Sequence, residues 1–207
     1  MAVGASVKKA FDKVGIPYTI KRSGEADITG ERCIYDINKL ASRPFLREFV
    51  LPADLAYDTE VINGDIIEFV DDSRRFLIAS KIPDMYGSDV ILYDSILFKC
   101  NVTNGQILRA SGESEWPEQT YHKDTSWEVI NAGVNALIIE SFTGNKLERE
   151  PIGDLSTEKL ELYLPSSFDL RVLDRFQTVS GEYYKVEVLK SHVHSGITIA
   201  EVSEDTR

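Results

Sequence analysis

Apolar residues in this chain recur in short runs, often at alternate positions, and polar turns separate the runs. In the first half the runs are Val61-Ile62, 66–69, 75–79, 90–93 and 96–100. Their counterparts in the second half are 160–164, 172–176, 183–189 and 196–200. The last of these alternates with period two, as a half-buried antiparallel strand does. Asn63-Gly64 tolerates positive φ and predicts a tight turn between strands, and Asn104-Gly105 repeats the pair. Short strands broken by turns every eight to twelve residues or so predict a small barrel or sandwich.

Two stretches depart from this rhythm and carry helical spacing. Ser6 can cap a helix whose apolar positions are Val7, Ala10, Phe11 and Val14, with Gly15 as its stop. Pro17 blocks continuation, and Tyr18-Thr19-Ile20 reads as a strand. In the second half, Thr125 and Glu128 have capping-box spacing, Trp127 and Ile130 supply an apolar side, and Gly133 can end the helix. A strand at 136–139 follows, so both halves open in the order helix, glycine, strand.

The halves also share wording. Residues 51–78 read LPADLAYDTEVINGDIIEFVDDSRRFLI, and 164–186 read LPSSFDLRVLDRFQTVSGEYYKV. Each starts Leu-Pro and continues with an aromatic-Asp pair, Tyr57-Asp58 or Phe168-Asp169. A Val follows (Val61, Val172), then an Asp before an apolar strand (Asp65, Asp174). Each then crosses a polar turn into Phe76-Leu77-Ile78 or Tyr184-Lys185-Val186. The reading is therefore a mainly β chain of two tandem small antiparallel β-barrel or sandwich domains, each preceded by a short helix. The domains are placed at 1–112 and 125–207, joined by a polar linker at 113–124. Residues 23–45 and 111–124, the longest stretches without a core pattern, are the expected mobile loops. Trp116, within the second, is the kind of residue that docks back onto a domain.

Bulk properties narrow the class. The 207 residues are 43% hydrophobic, enough to build a core. No apolar run approaches the ~18–20 residues of a membrane span, and the opening MAVGASVKKAFDKVG has no signal-peptide core. The expectation is a soluble protein made in a cytoplasm, with Cys33 and Cys100 as free, semi-buried thiols. The net charge of −11 argues against a surface that wraps nucleic acid, although a weakly repulsive wall would let DNA slide past.

Candidate chemistry is sparse. His192 and His194 share one strand face at a spacing a metal could use, but no further ligands stand near them in sequence, and His122 lies in the polar linker. Asp71-Asp72-Ser73-Arg74-Arg75 could pair carboxylates with arginines for acid-base work, yet mixed charge is ordinary at a hairpin tip. Asp58 and Asp169 read as repeated acceptors that fix a loop, and Trp127 as core. The chain has no phosphate loop, nucleophile elbow, HExxH helix or paired CxxC. The reading assigns no catalytic, cofactor-binding or metal residue, and no enzyme.

The first-half motif of Val61, Gly64, Asp65, Ile67 and Phe69, followed by 75–78, resembles the head-closure (stopper) proteins of tailed bacteriophages. Its echo is Val172, Asp174, Phe176 and 183–188. The familiar stopper is a single barrel, whereas this chain carries two, and the second copy lacks the glycine before Asp174. The resemblance implies a structural virion protein of the neck, at the head–tail junction. It would form a homo-oligomeric ring against a portal or adaptor and offer a face to a tail terminator or tube protein. DNA would pass or be retained in the lumen without sequence-specific binding, and no cofactor or membrane is implied. Two rival classes stay open: a tail-side structural protein (completion protein or distal-tail hub), and a non-viral binding module of duplicated barrels.

Overall fold

The computed structural model describes residues 3–35, 48–111, 126–140, 160–190 and 194–205. Within them the chain forms two closed antiparallel barrels of six strands each. The first unit opens with helix α1 (Val3–Val14), where Phe11 and Gly4 are buried, and Gly15 closes the helix by donating to the Phe11 carbonyl at 2.8 Å. The helix starts ahead of the predicted Ser6 cap. Its strands are β1 (Ile16–Lys21), β2 (Ile28–Tyr35), β3 (Val50–Ala56), β4 (Ile66–Phe69), β5 (Arg75–Tyr86) and β6 (Asp89–Lys99). Around the ring they run β1-β2-β3-β6-β5-β4. The second unit comprises β7 (Val102–Ser111), β8 (Ser126–Glu140), β9 (Leu160–Pro165), β10 (Arg175–Gln177), β11 (Tyr183–Leu189) and β12 (Ile197–Glu204). Its ring runs β7-β8-β9-β12-β11-β10, the same path strand for strand.

Each barrel closes over its own core. Tyr18, Ile20, Cys33, Leu55, Val61, Ile67, Phe69, Phe76, Ile78 and Leu97 fill the first. Ile107, Val134, Ala136, Leu162, Leu164, Leu170, Phe176, Val186, Ala200 and Val202 fill the second. Full burial of a large apolar side chain contributes about 1.5–3 kcal/mol, so each core is a sufficient driving force for a barrel of this size.

The duplication extends to irregularities. The β5–β6 ladder slips register between Ile78 and Ser80, and the β11–β12 ladder slips at the equivalent place, between Val186 and Val188. Asp65 and Asp174 both follow a residue at positive φ, Gly64 at 89° and Leu173 at 75°. Glycine has no Cβ to object to that conformation, whereas a leucine there is strained by roughly 1–2 kcal/mol. In both copies this positive-φ residue donates its N–H to β5 or β11 (Ile78 or Val186 carbonyl, 2.9 Å each). That bond returns the chain into the sheet and holds the conformation.

Several sequence expectations are corrected by this register. The second predicted helix at 125–133 does not form; from Ser126 onward the segment lies in β8, paired with β7 from Ser111–Ser126 to Val102–Ala136. Its β-branched Val129, Ile130 and Val134 favour a strand, and Gly133 at φ 73° bends the strand without ending it. Asn104-Gly105 is likewise an irregularity inside β7, with Asn104 at φ 57°, and not a hairpin turn. The second barrel therefore begins at β7, so the boundary lies at Cys100–Asn101 and not near residue 112. Part of the predicted loop 23–45 is strand β2. Residues 23–27 form the turn and bend leading into β2, while 36–45 and 112–124, with Trp116, lie outside the described residues.

The Leu-Pro match is a coincidence of spelling. The register makes Leu55 the counterpart of Leu164 and Leu51 that of Leu160, all four belonging to the two cores. Leu170 replaces Val172 as the partner of Val61: Leu170 is 6% exposed and Val172 48%. Across strands, β7 takes the place of β1, so Tyr18-Thr19-Ile20-Lys21-Arg22 corresponds to Gly105-Gln106-Ile107-Leu108-Arg109.

Candidate functional site

The clearest side-chain constellation among the described residues occurs twice. Arg22, just past β1, donates Nε to Asp65 Oδ1 at 2.8 Å and Nη2 to Asp65 Oδ2 at 2.9 Å, and Nη2 also reaches the Glu60 carbonyl at 2.8 Å. Arg109 on β7 does the same to Asp174 at 2.9 and 2.8 Å and to the Asp169 carbonyl at 2.8 Å. Each Asp caps its own turn by accepting from the backbone N–H three residues back, Ile62 or Arg171, at 2.8 Å. Both carboxylates are nearly buried, and their hydrogen bonds hold the pKa of each arginine above its ordinary value. A planar guanidinium matching a carboxylate through two parallel bonds is a geometric lock. It ties the turn before β4 or β10 to the far side of the barrel seam and leaves no acid or base poised for chemistry.

Two further features of the first barrel face solvent. At the end where β4 turns into β5, Tyr35, Phe49, Val50, Leu51 and Phe76 line an open cleft of about 150 Å³, with Glu48, Arg74 and Lys99 at its margin. Tyr35 stacks on Phe69 at 5.9 Å and 7°, and the Arg74 guanidinium lies 5.6 Å and 5.7 Å from the Phe69 and Phe76 ring centres. At the opposite end, β5 and β6 stay paired as far as Tyr86–Asp89, beyond the last β3–β6 pair at Ala56–Leu92. Ile82, Met85 and Tyr86 on this hairpin arm are 60%, 46% and 69% exposed. In the second barrel the corresponding ladder, among the described residues, runs to Leu189–Ala200, with Lys190 donating to the Ile199 carbonyl at 2.7 Å.

The sequence-derived candidates are scattered. His194 is exposed in a bend, while His122 and His192 lie outside the described residues. Among the described residues no three His, Cys, Asp or Glu side chains are placed to hold a metal ion. In the charged turn, Asp72 caps the Arg74 N–H at 3.0 Å and pairs with its Nε at 2.5 Å, while Arg75 reaches Glu68 across the β4–β5 pair at 2.7 Å. These contacts shape a hairpin tip. Asp58 pairs with Lys8 and so pins α1. Asp169 is held below the usual carboxylate range by Arg171 and Arg109. The two aspartates both fix loops, but the register makes Glu60, not Asp58, the counterpart of Asp169. Trp127 is half-buried under the Arg175 guanidinium at 3.9 Å, and Arg175 in turn pairs with Asp205 at 2.6 Å.

A buried carboxylate elsewhere is also locked. Glu161 accepts from the Tyr163 hydroxyl at 2.5 Å and from Lys190 at 2.8 Å, and Lys190 bridges on to Glu201 at 2.8 Å. Both free thiols are buried, which pushes Cys33 and Cys100 up to about 12. At neutral pH they stay protonated, the wrong state for a nucleophile.

No model of a known protein family matches this chain, and no curated protein does either.

Sequence reading missed the arginines, the cleft and the arm. The pairing of YTIKR with GQILR carried the signal for Arg22 and Arg109. It was hidden because the helix-like spacing at 125–133 drew the second copy's start past β7.

Proposed function

We propose that this chain is a structural virion protein of the neck of a tailed bacteriophage, a head–tail connector built from two tandem barrels. The observation that carries the reading is the repeat itself. Two closed barrels share one strand path, one bulge position and one Arg–Asp lock, and the motif that resembles stopper proteins lies at the lock of the first. Polar constellations in both barrels are closed on themselves and stiffen turns, the property expected of a part that works by assembling. On this reading the chain forms a homo-oligomeric ring joining portal or adaptor to tail, and packaged DNA is retained or released through its lumen. An acidic chain of net charge −11 suits a wall along which DNA slides without sticking.

The test is electron microscopy of purified virions carrying a C-terminal tag on this chain. Label confined to the head–tail junction is the expected result. Label at the tail tip would move the protein to the tail-side class, and particles without label would overturn the virion assignment.

A further inference from the structure

We propose that residues 171–178, strand β10 with its lead-in turn, form a latched segment that swings out of the second barrel while the first barrel stays closed. The inference stands on the difference between the two copies and not on the neck reading.

The equivalent segment of the first barrel, 62–69, is held at more points. β4 makes four pairs with β1, from Tyr18–Phe69 to Lys21–Ile66, and sinks both Ile67 and Phe69 into the core. β10 makes three pairs with β7, and Phe176 is its one core side chain. Thr178 stands where the first barrel has Phe69. The first barrel also ties down the loop that leads to β4. The Tyr18 and Thr59 hydroxyls lie 3.2 Å apart, and Lys81 donates to the Val61 carbonyl at 2.7 Å. Gly105 and Leu189 occupy the places of Tyr18 and Lys81 in the second barrel, and neither side chain can donate a hydrogen bond. Beside the seam, the β7–β8 ladder shifts register three times between Val102 and Leu108, whereas the β1–β2 ladder shifts once.

The turn ahead of β10 carries strain as well. Leu173 sits at φ 75°, where the first barrel has Gly64 at 89°. A leucine is disfavoured in that region by a factor of roughly 5–30. What holds it there is a short set of contacts. The Leu173 N–H bonds the Val186 carbonyl and the Val186 N–H bonds the Asp174 carbonyl, each at 2.9 Å. Arg109 clamps the Asp174 carboxylate at 2.9 and 2.8 Å. These contacts are the latch, and releasing the segment relaxes the leucine. Releasing 62–69 brings no such relief, because a glycine at positive φ is unstrained. Segments with few buried apolar contacts open ahead of the rest of a fold. A released β10 leaves β7 and β11 with unpaired edges, the form in which a closed barrel can accept another strand.

Amide hydrogen exchange on the full chain tests this. Amides of β10 should exchange about ten-fold faster than those of β4, and faster than those of β12 in the same barrel. Leu173→Asn introduces a residue that accepts the left-handed region, and it should slow β10 by roughly 5–30-fold while leaving β4 unchanged. A second variant, Gln106→Cys with Gln177→Cys, puts thiols on directly opposed residues of β7 and β10, at a spacing a disulfide spans. Its oxidised form should lose the fast β10 exchange that its reduced form keeps. Cys33 and Cys100 are buried and do not compete for the bond. The proposal is overturned if β10 exchanges no faster than β4, or only as fast as β12. It is overturned equally if Leu173→Asn leaves β10 unchanged or slows β4 as much, or if the oxidised staple exchanges like the reduced one.

Discussion

Arg109 grips Asp174 in the second barrel with the same two parallel bonds, at 2.9 and 2.8 Å, that join Arg22 to Asp65 in the first. A carboxylate this deeply buried depends on its partner, because removing the guanidinium strands a charge away from water. Arg22→Ala and Arg109→Ala are each expected to destabilise their barrel by about 3–5 kcal/mol. Replacing both members of either pair by apolar residues should cost clearly less than the two single changes added together. Denaturant unfolding of the two double-mutant cycles measures this directly.

Gly105 marks a trade of volume between the barrels. A Cβ there would stand 2.5 Å from Cζ of Phe176. At the equivalent positions the first barrel has Tyr18 and Ile67, so the large side chain has moved from one strand to its neighbour. Gly105→Ala is expected to overpack the core and cost about 1–3 kcal/mol. Adding Phe176→Ile should recover part of that loss. A thermal melt of the single and double variants decides the point.

The Arg175 guanidinium is held between the Trp127 ring at 3.9 Å and the Asp205 carboxylate at 2.6 Å. Asp205 is 7% exposed as a residue and is contributed by the chain just after β12. Asp205→Ala is expected to lower stability by about 3–5 kcal/mol, since Arg175 would lose its buried counter-charge. Trp127 emission should shift to the red as its cover loosens, a change not expected for a substitution at the exposed Asp71.

Burial of Cys33 and Cys100 sets an alkaline limit. Both thiols are raised from 9.0 to about 12 in the folded chain. Above pH 9 the unfolded state loses these protons while the native state keeps them, so the unfolded state binds fewer protons and stability falls as pH rises. The contribution is complete below pH 9 and is lost toward pH 12. Cys33→Ala and Cys100→Ala should each flatten that decline in a stability–pH profile. A thiol reagent at pH 8 should label the native protein far more slowly than the denatured one.

Much of the fold was legible in the chain. Period-two runs, turn residues and two similar halves are local properties, and they were enough to specify tandem antiparallel barrels and most strand positions. The stretch 76–78 and its echo 184–186 were matched in correct register, because an aromatic facing the core must recur wherever the same strand recurs. Asp65 and Asp174 were matched correctly too, but the phase of the segments before them was not legible. Leu-Pro at 51 and 164 looked equivalent, and helix-like spacing at 125–133 looked like the start of a second copy. Which residue pairs with which is decided by ladders that join distant segments, such as β7 with β10 and β1 with β4. Register shifts at bulges then break any fixed offset between copies. The Arg–Asp locks, the cleft and the arm depend on those long-range pairings, and so only tertiary structure could bring their members together.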